Sequence, residues 1–175
     1  MQVTANSVQD FGQNGNVASA ILAAHFDQII PNVTITRMST QAAKTRTSPI
    51  EFQLAFSEVV QGFPFANAID VGGLTTSWDV VDAKTYSLKL YDMSGYLEVS
   101  PTFLAGFASD LSGNTNREVI AAETVVYDDR PLTATITRVS DPVTRASPLA
   151  WTATFNKEIV VDSLPTRGYL LRLLR

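Results

Sequence analysis

The stretch SPIEFQLAF at residues 48–56 returns as SPLAWTATF at 147–155, an offset of 99. Two more pairs keep the same order and nearly the same spacing. DFGQNGN at 10–16 matches DLSGNTN at 110–116, which aligns Asp10 with Asp110, Asn14 with Asn114 and Asn16 with Asn116. PNVTITR at 31–37 matches PLTATITR at 131–138. Three ordered matches at one spacing define a tandem unit of about 100 residues. The register divides the chain unevenly. Residues 1–28 carry the end of one unit, 29–128 make a whole unit, and 129–175 begin a third. A section cut from a longer array is expected, with Met1 not its biological start.

Within the whole unit the hydrophobic pattern has the period of strands. IEFQLAF places Ile50, Phe52, Leu54 and Phe56 on one side and Glu51, Gln53 and Ala55 on the other. Alternation of this kind marks a strand with one buried face. The later copy places Leu149, Trp151, Ala153 and Phe155 on the same side. NVTITR offers Val33 and Ile35, TSWDVV offers Trp78 and Val80, and YSLKLY offers Tyr86, Leu88 and Leu90. YLEVS and EVIAAETVVY supply the last strands. Turn signals separate them, at Gly62 and Pro64, VGG at 71–73, DMSG at 92–95 and DLSGN at 110–114. About seven short strands between such turns describe an all-β antiparallel β-sandwich. Each inward Phe, Leu or Ile contributes ~1.5–3 kcal/mol when fully buried, so one whole unit can fold alone. The partial third unit cannot. It is expected to be loose, docked on its neighbour or paired with another chain.

Composition narrows the function classes. Net charge is −4 with the basic residues scattered, which argues against a nucleic-acid partner. There is no cysteine, so neither disulfides nor thiolate metal sites are available. No apolar run approaches the ~20 residues of a membrane span, so no membrane insertion is expected. The single histidine, His25, sits in AAHFD with no Gly-x-Ser-x-Gly elbow, Walker loop or His-Glu-x-x-His motif in the chain. Catalysis is not expected.

The run PNVTITR, SPIEFQLAFSEVVQGF, AIDVGG, YSLKLY, SGYLEVS and SDLSGNTN resembles the bacterial immunoglobulin-like repeats of very large secreted and cell-surface proteins, many of them adhesins. The likeness falls on Pro31 to Ile35, Ser48 to Ile50, Phe56 to Phe63 and Asp110 to Asn114, and in part on both flanks. It implies an immunoglobulin-like sandwich, an extracellular or bacterial-surface location, and neighbouring repeats as partners. The chain departs from the pattern at Gln13, which stands where the closing motif has Gly113, and in FNKEIVVDS at 155–163. The tail LPTRGYLLRLLR at 164–175 fits no part of the repeat.

Oxygen-bearing side chains cluster where such repeats turn and join. Asp110, Ser112, Asn114 and Asn116 alternate around a glycine, and Asp128 and Asp129 lie at the boundary between units, as Asp27 does at the earlier one. Calcium takes six to eight oxygen ligands from loops of this kind, and the resemblance allows Ca²⁺ at the joints of an array. No cofactor is otherwise required. The same residues also make a tight turn, because Asp and Asn side chains bond nearby backbone groups. A lone loop supplies few ligands, so the turn is the first expectation and the ion the second. Glu58 is either a further ligand or a solvated strand end. Trp78 and Trp151 fall in phase with core positions, whereas Tyr91 and Tyr96, if exposed together, would offer a sugar-stacking pair. Two functions follow: a structural spacer or stalk, and a carbohydrate- or protein-binding module using one loop end of the sandwich.

Overall fold

The computed structural model describes residues 1–61, 67–139, 145 and 151–160, with the backbone of one further strand at 171–173. The described residues are all-β. In chain order the strands are β1 (Val33–Arg37), β2 (Lys44–Thr45), β3 (Ile50–Phe56), β4 (Ile69–Asp70), β5 (Thr75–Val80), β6 (Thr85–Tyr91) and β7 (Tyr96–Val99). They continue with β8 (Thr102–Phe103), β9 (Val119–Ile120), β10 (Val125–Asp128), β11 (Ala134–Arg138), β12 (Trp151–Phe155) and β13 (Leu171–Leu173). One sheet has the order β1-β3-β6-β5, and its three pairings are antiparallel. Two smaller sheets have the orders β2-β10-β7 and β4-β8-β9.

The smaller sheets are two ends of one ladder. Ser100 and Pro101 alone separate β7 from β8, while β9 and β10 are separated by residues 121–124. Val99 pairs with Val125 below the break and Thr102 with Ile120 above it, and the Ala121 N–H bonds the Pro101 carbonyl between them at 2.9 Å. Proline cannot donate to a ladder, and the extra residues on the β9–β10 side bulge out. The segment EVIAAETVVY therefore supplies two strands, β9 and the start of β10.

Alternation puts the core where the period-two pattern places it. Ile50, Phe52 and Leu54 are wholly buried and Phe56 nearly so, with half-buried residues between. Opposite them across β6 lie Leu90, Leu88 and Tyr86, and across β1 lie Ile35 and Val33. These residues form one cluster with Ile69, Val99, Phe103, Val125 and Tyr127 from the smaller sheets. Phe56 meets Phe103 and Tyr86 edge-on, at ring-centre distances of 5.7 and 5.8 Å. Trp78 packs against the cluster, as its phase implied, but Val80 at the end of edge strand β5 is exposed.

The flanks repeat pieces of this arrangement, and among the described residues no second layer covers them. β11 and β12 pair Ala134 with Phe155, Ile136 with Ala153 and Arg138 with Trp151, which copies the pairing of Val33 with Phe56, Ile35 with Leu54 and Arg37 with Phe52. Yet Ile136 is 69% exposed where Ile35 is 1%, and Trp151 is 37% exposed where Phe52 is 0%. The inward placement expected for Trp151 is thus corrected: the register persists, but the strands that cover Phe52 have no counterpart among the described residues after 129.

Pairing is not antiparallel throughout. β2 runs parallel to β10, and β13 runs parallel to β12, on the side where β3 receives β6. Part of the tail that matched no repeat segment is therefore strand. The corner residues Gly62, Phe63 and Pro64, the copied Ser147, Pro148 and Leu149, and residues 164–170 and 174–175 lie outside the described residues.

Candidate functional site

Asp110 opens the loop between β8 and β9 and is spent on shaping it. Its Oδ1 accepts the N–H groups of Ser112 at 2.8 Å and Asn114 at 2.9 Å, and its Oδ2 accepts the Asn114 amide at 2.7 Å. Gly113 takes a φ of +90°, which the bend requires. Burial pushes the Asp110 carboxyl upward, but the donors from Asn114, Ser112 and Gly113 outweigh it and hold the group below the usual carboxylate range. Asn116, 3% exposed, clamps the loop base. Its Oδ1 accepts the Ala108 N–H, and its amide donates to the Leu104 and Arg117 carbonyls, all at 2.8 Å.

The loop at 10–16 has the same bonds 100 positions earlier. Asp10 Oδ1 accepts the N–H groups of Gly12 and Asn14, and Asp10 Oδ2 accepts the Asn14 amide. Asn16 accepts from Val8 and donates to Thr4 and Val17. Gln13 holds φ at +66° in the place of Gly113, so the departure from the closing motif leaves the turn intact. The Asn14 side chain, ahead of its backbone N–H, holds the Asp10 carboxyl below its ordinary value.

Between the segment before β1 and the β8–β9 loop, three carboxylates converge. Asp27 from the link, Glu58 just after β3 and Asp110 each place a carboxylate oxygen within 4.8 Å of the others. The Asn114 amide bonds the Asp27 carbonyl at 3.1 Å, which ties the loop to the link. Beside the carboxylates lies a groove of about 690 Å³, lined by His25, Phe26, Ile29, Val59, Lys84 and Leu111 among others. Lys84 donates to the Ser57 carbonyl at 2.9 Å on its rim. Three like charges at this spacing repel one another, and bound oxygen-seeking cations relieve such repulsion.

Of Asp110, Asn114, Asn116, Asp128 and Asp129, only Asp110 belongs to this group; its partners are Asp27, noted at the earlier boundary, and Glu58, weighed as a further ligand or a solvated strand end. Asn114 uses its amide on the Asp110 carboxylate and the Asp27 carbonyl, and Asn116 uses its amide on backbone groups. Asp128 ends β10, Asp129 follows it, and both are engaged elsewhere. Asp128 receives the Arg130 guanidinium through both oxygens, at 3.0 and 3.1 Å, and Lys157 at 3.2 Å. Arg130 ahead of Lys157 holds the Asp128 carboxyl well below the usual range. Asp129 accepts the Gly95 N–H at 2.8 Å and the Tyr127 hydroxyl at 3.3 Å. Lys157 carries no signal in the sequence beyond standing where the earlier copy has Glu58. Only its contact with Asp128 marks it.

The tyrosines do not form a pair. Tyr91 is half-buried in the four-stranded sheet and shares a hydrogen bond with Ser77. Tyr96 lies in the β2-β10-β7 sheet, with Arg130 over its ring at 4.8 Å and its hydroxyl donated to Glu98.

No family model matches the chain, and no curated protein matches it. Among solved structures it is similar to the N-terminal part of the bacterial S-layer protein SbsC, at 16% identity and a TM-score of 0.37. That match covers 63% of this chain and 26% of the S-layer chain.

Proposed function

We propose that the chain is a section of a tandem array of immunoglobulin-like β-sandwiches, and that it serves as a non-catalytic spacer in a bacterial extracellular or cell-surface protein. The observation that carries this reading is the recurrence of the same hydrogen-bond networks one unit apart. The loop at 110–116 is rebuilt at 10–16, and the β1–β3 hairpin is rebuilt in β11–β12. Topology supports the sandwich. The order β1-β3-β6-β5 beside a ladder of β4, β8 and β9 with β7, β10 and β2 corresponds to the four- and three-strand sheets of an immunoglobulin-like domain, with an extra short strand on the last one.

A spacer must hold its joints, and on this reading Ca²⁺ bridges Asp27, Glu58 and Asp110 at the first of them. Asp27 belongs to the link, whereas the other two belong to the whole unit, so one ion fastens both. Melting the chain with about 1 mM Ca²⁺ and with chelator tests the ion, because a ligand near saturation raises Tm by mass action. Identical midpoints, in wild type and in Glu58→Gln, remove it. A glycan array probed with the same chain tests the spacer against the binding module. The spacer reading expects no saturable sugar binding, and saturable binding overturns it.

A further inference from the structure

The two joints of the chain are built to one plan and filled with opposite charge. At the first, Asp27 Oδ1 accepts the Ile29 N–H at 2.9 Å; at the second, Asp128 Oδ1 accepts the Arg130 N–H at 3.1 Å. The Ser57 N–H bonds the Asn32 carbonyl at 2.8 Å, and the Asn156 N–H bonds the Thr133 carbonyl at 3.2 Å. The Asn32 N–H donates to Ser57 Oγ, and the Thr133 N–H donates to Asn156 Oδ1, both at 3.0 Å. These matched bonds align Asp27 with Asp128, Ile29 with Arg130 and Ser57 with Asn156. The next residue in each copy is then Glu58 or Lys157. One isoleucine and one glutamate at the first joint have thus become two cations at the second, around a shared aspartate.

We infer that Lys157 is a built-in cation that latches the second joint, so that the angle between the whole unit and the third is fixed without a divalent ion. Its ammonium reaches back across the joint to the Asp128 carboxylate and the Arg130 carbonyl. Arg130 holds the same carboxylate in a two-point grip and rests on Tyr96, which fixes the target for Lys157. Lys157 is largely shielded, its side chain 26% exposed and that of Asp128 22%. The pair therefore belongs to a network, the case in which a near-surface ion pair has a measurable effect. The Lys44–Glu158 pair also spans this joint at 3.5 Å, but both side chains are freely solvated and it adds little. Only the contrast with the first joint rests on the calcium reading. The latch stands on its own contacts.

The absence of cysteine allows labels to be placed at will. Spin labels on Ser100→Cys and Thr135→Cys, both exposed positions, report the second joint, and labels on Ala18→Cys and Ser100→Cys report the first. Distance distributions are read by pulsed electron resonance on the full chain. For the second joint the expected result is a narrow distribution that neither Ca²⁺ nor chelator alters. About 1 M NaCl broadens it by screening the pair. Lys157→Met raises the displaced population about fivefold, while Lys157→Arg keeps the distribution narrow. A Lys157→Met distribution as narrow as the wild type, or one in the wild type that widens with chelator, overturns the latch. If the first-joint distance ignores Ca²⁺, the calcium reading fails and the latch is untouched.

Discussion

Asn116→Ala removes the clamp at the base of the 110–116 loop, and its cost follows from where the three broken hydrogen bonds end. Ala108 is fully buried, so its freed N–H has no route to water and costs about 1–3 kcal/mol. The carbonyls of Leu104 and Arg117 belong to half-buried and exposed residues and can rehydrate, which adds about 0.5 kcal/mol each. The expected loss is about 2–4 kcal/mol, and each kcal/mol lowers the Tm of a unit this size by about 4–8 °C. Asn16→Ala breaks the matching three bonds and one more from the Ser7 hydroxyl, but its partners Thr4, Ser7, Val8 and Val17 are exposed, so water replaces the amide at a cost below about 0.5 kcal/mol. Urea unfolding of the full chain, read from Trp78 in a Trp151→Phe background, measures the first, and amide exchange of Val8 and Asn14 measures the second. Equal costs for the two variants, or a loss below about 1 kcal/mol for Asn116→Ala, would refute the argument that burial and not bond count sets the price of the clamp.

Three further outcomes are expected. Gly113→Ala forces a side chain to a φ of +90° and costs about 1–2 kcal/mol in the same urea titration, whereas Gln13→Gly at +66° shifts the amide-exchange free energy of the 10–16 loop by no more than about 0.5 kcal/mol. Phe52→Ala, at 0% exposure, costs about 3–5 kcal/mol, while Trp151→Ala at the copied position leaves the unfolding midpoint of the whole unit unchanged. Asp128 has its carboxyl lowered by Arg130 first and Lys157 after it. It therefore contributes stability that is fully present above its ordinary value of 3.8 and is lost as pH falls through the lower folded value. An acid titration of the joint should show this loss in the wild type and its absence in Asp128→Asn; coincident acid profiles count against the ion network.

Much of the fold could be read from the chain because its strands bury one face. Every second residue of IEFQLAF is buried, and the copied segments pair in copied register. What escaped the reading has no period to betray it. Lys44–Thr45 is too short to alternate, so its parallel pairing with β10 comes from tertiary placement alone. Pro101 breaks a ladder whose two halves are each strand-like in composition. The candidate site was legible in residue type but not in grouping. Asp27, Glu58 and Asp110 are 31 and 52 residues apart in sequence, and only the topology that sets the link beside two loops brings them together. Asp110 and Asn114 suited a turn first and an ion second, and their hydrogen bonds form the turn, with Asp110 also facing the cluster.

Amide hydrogen exchange along the full chain bears most directly on the division into one whole unit and two partial ones. Amides of β1, β3, β6 and β10, together with the Asn116-bound Ala108, should exchange at a common rate set by one cooperative opening. Those of 4–17 and of β11–β12 should exchange far faster, despite bonds of the same pattern. Equal protection at residues matched one unit apart, across all three segments, would contradict the account.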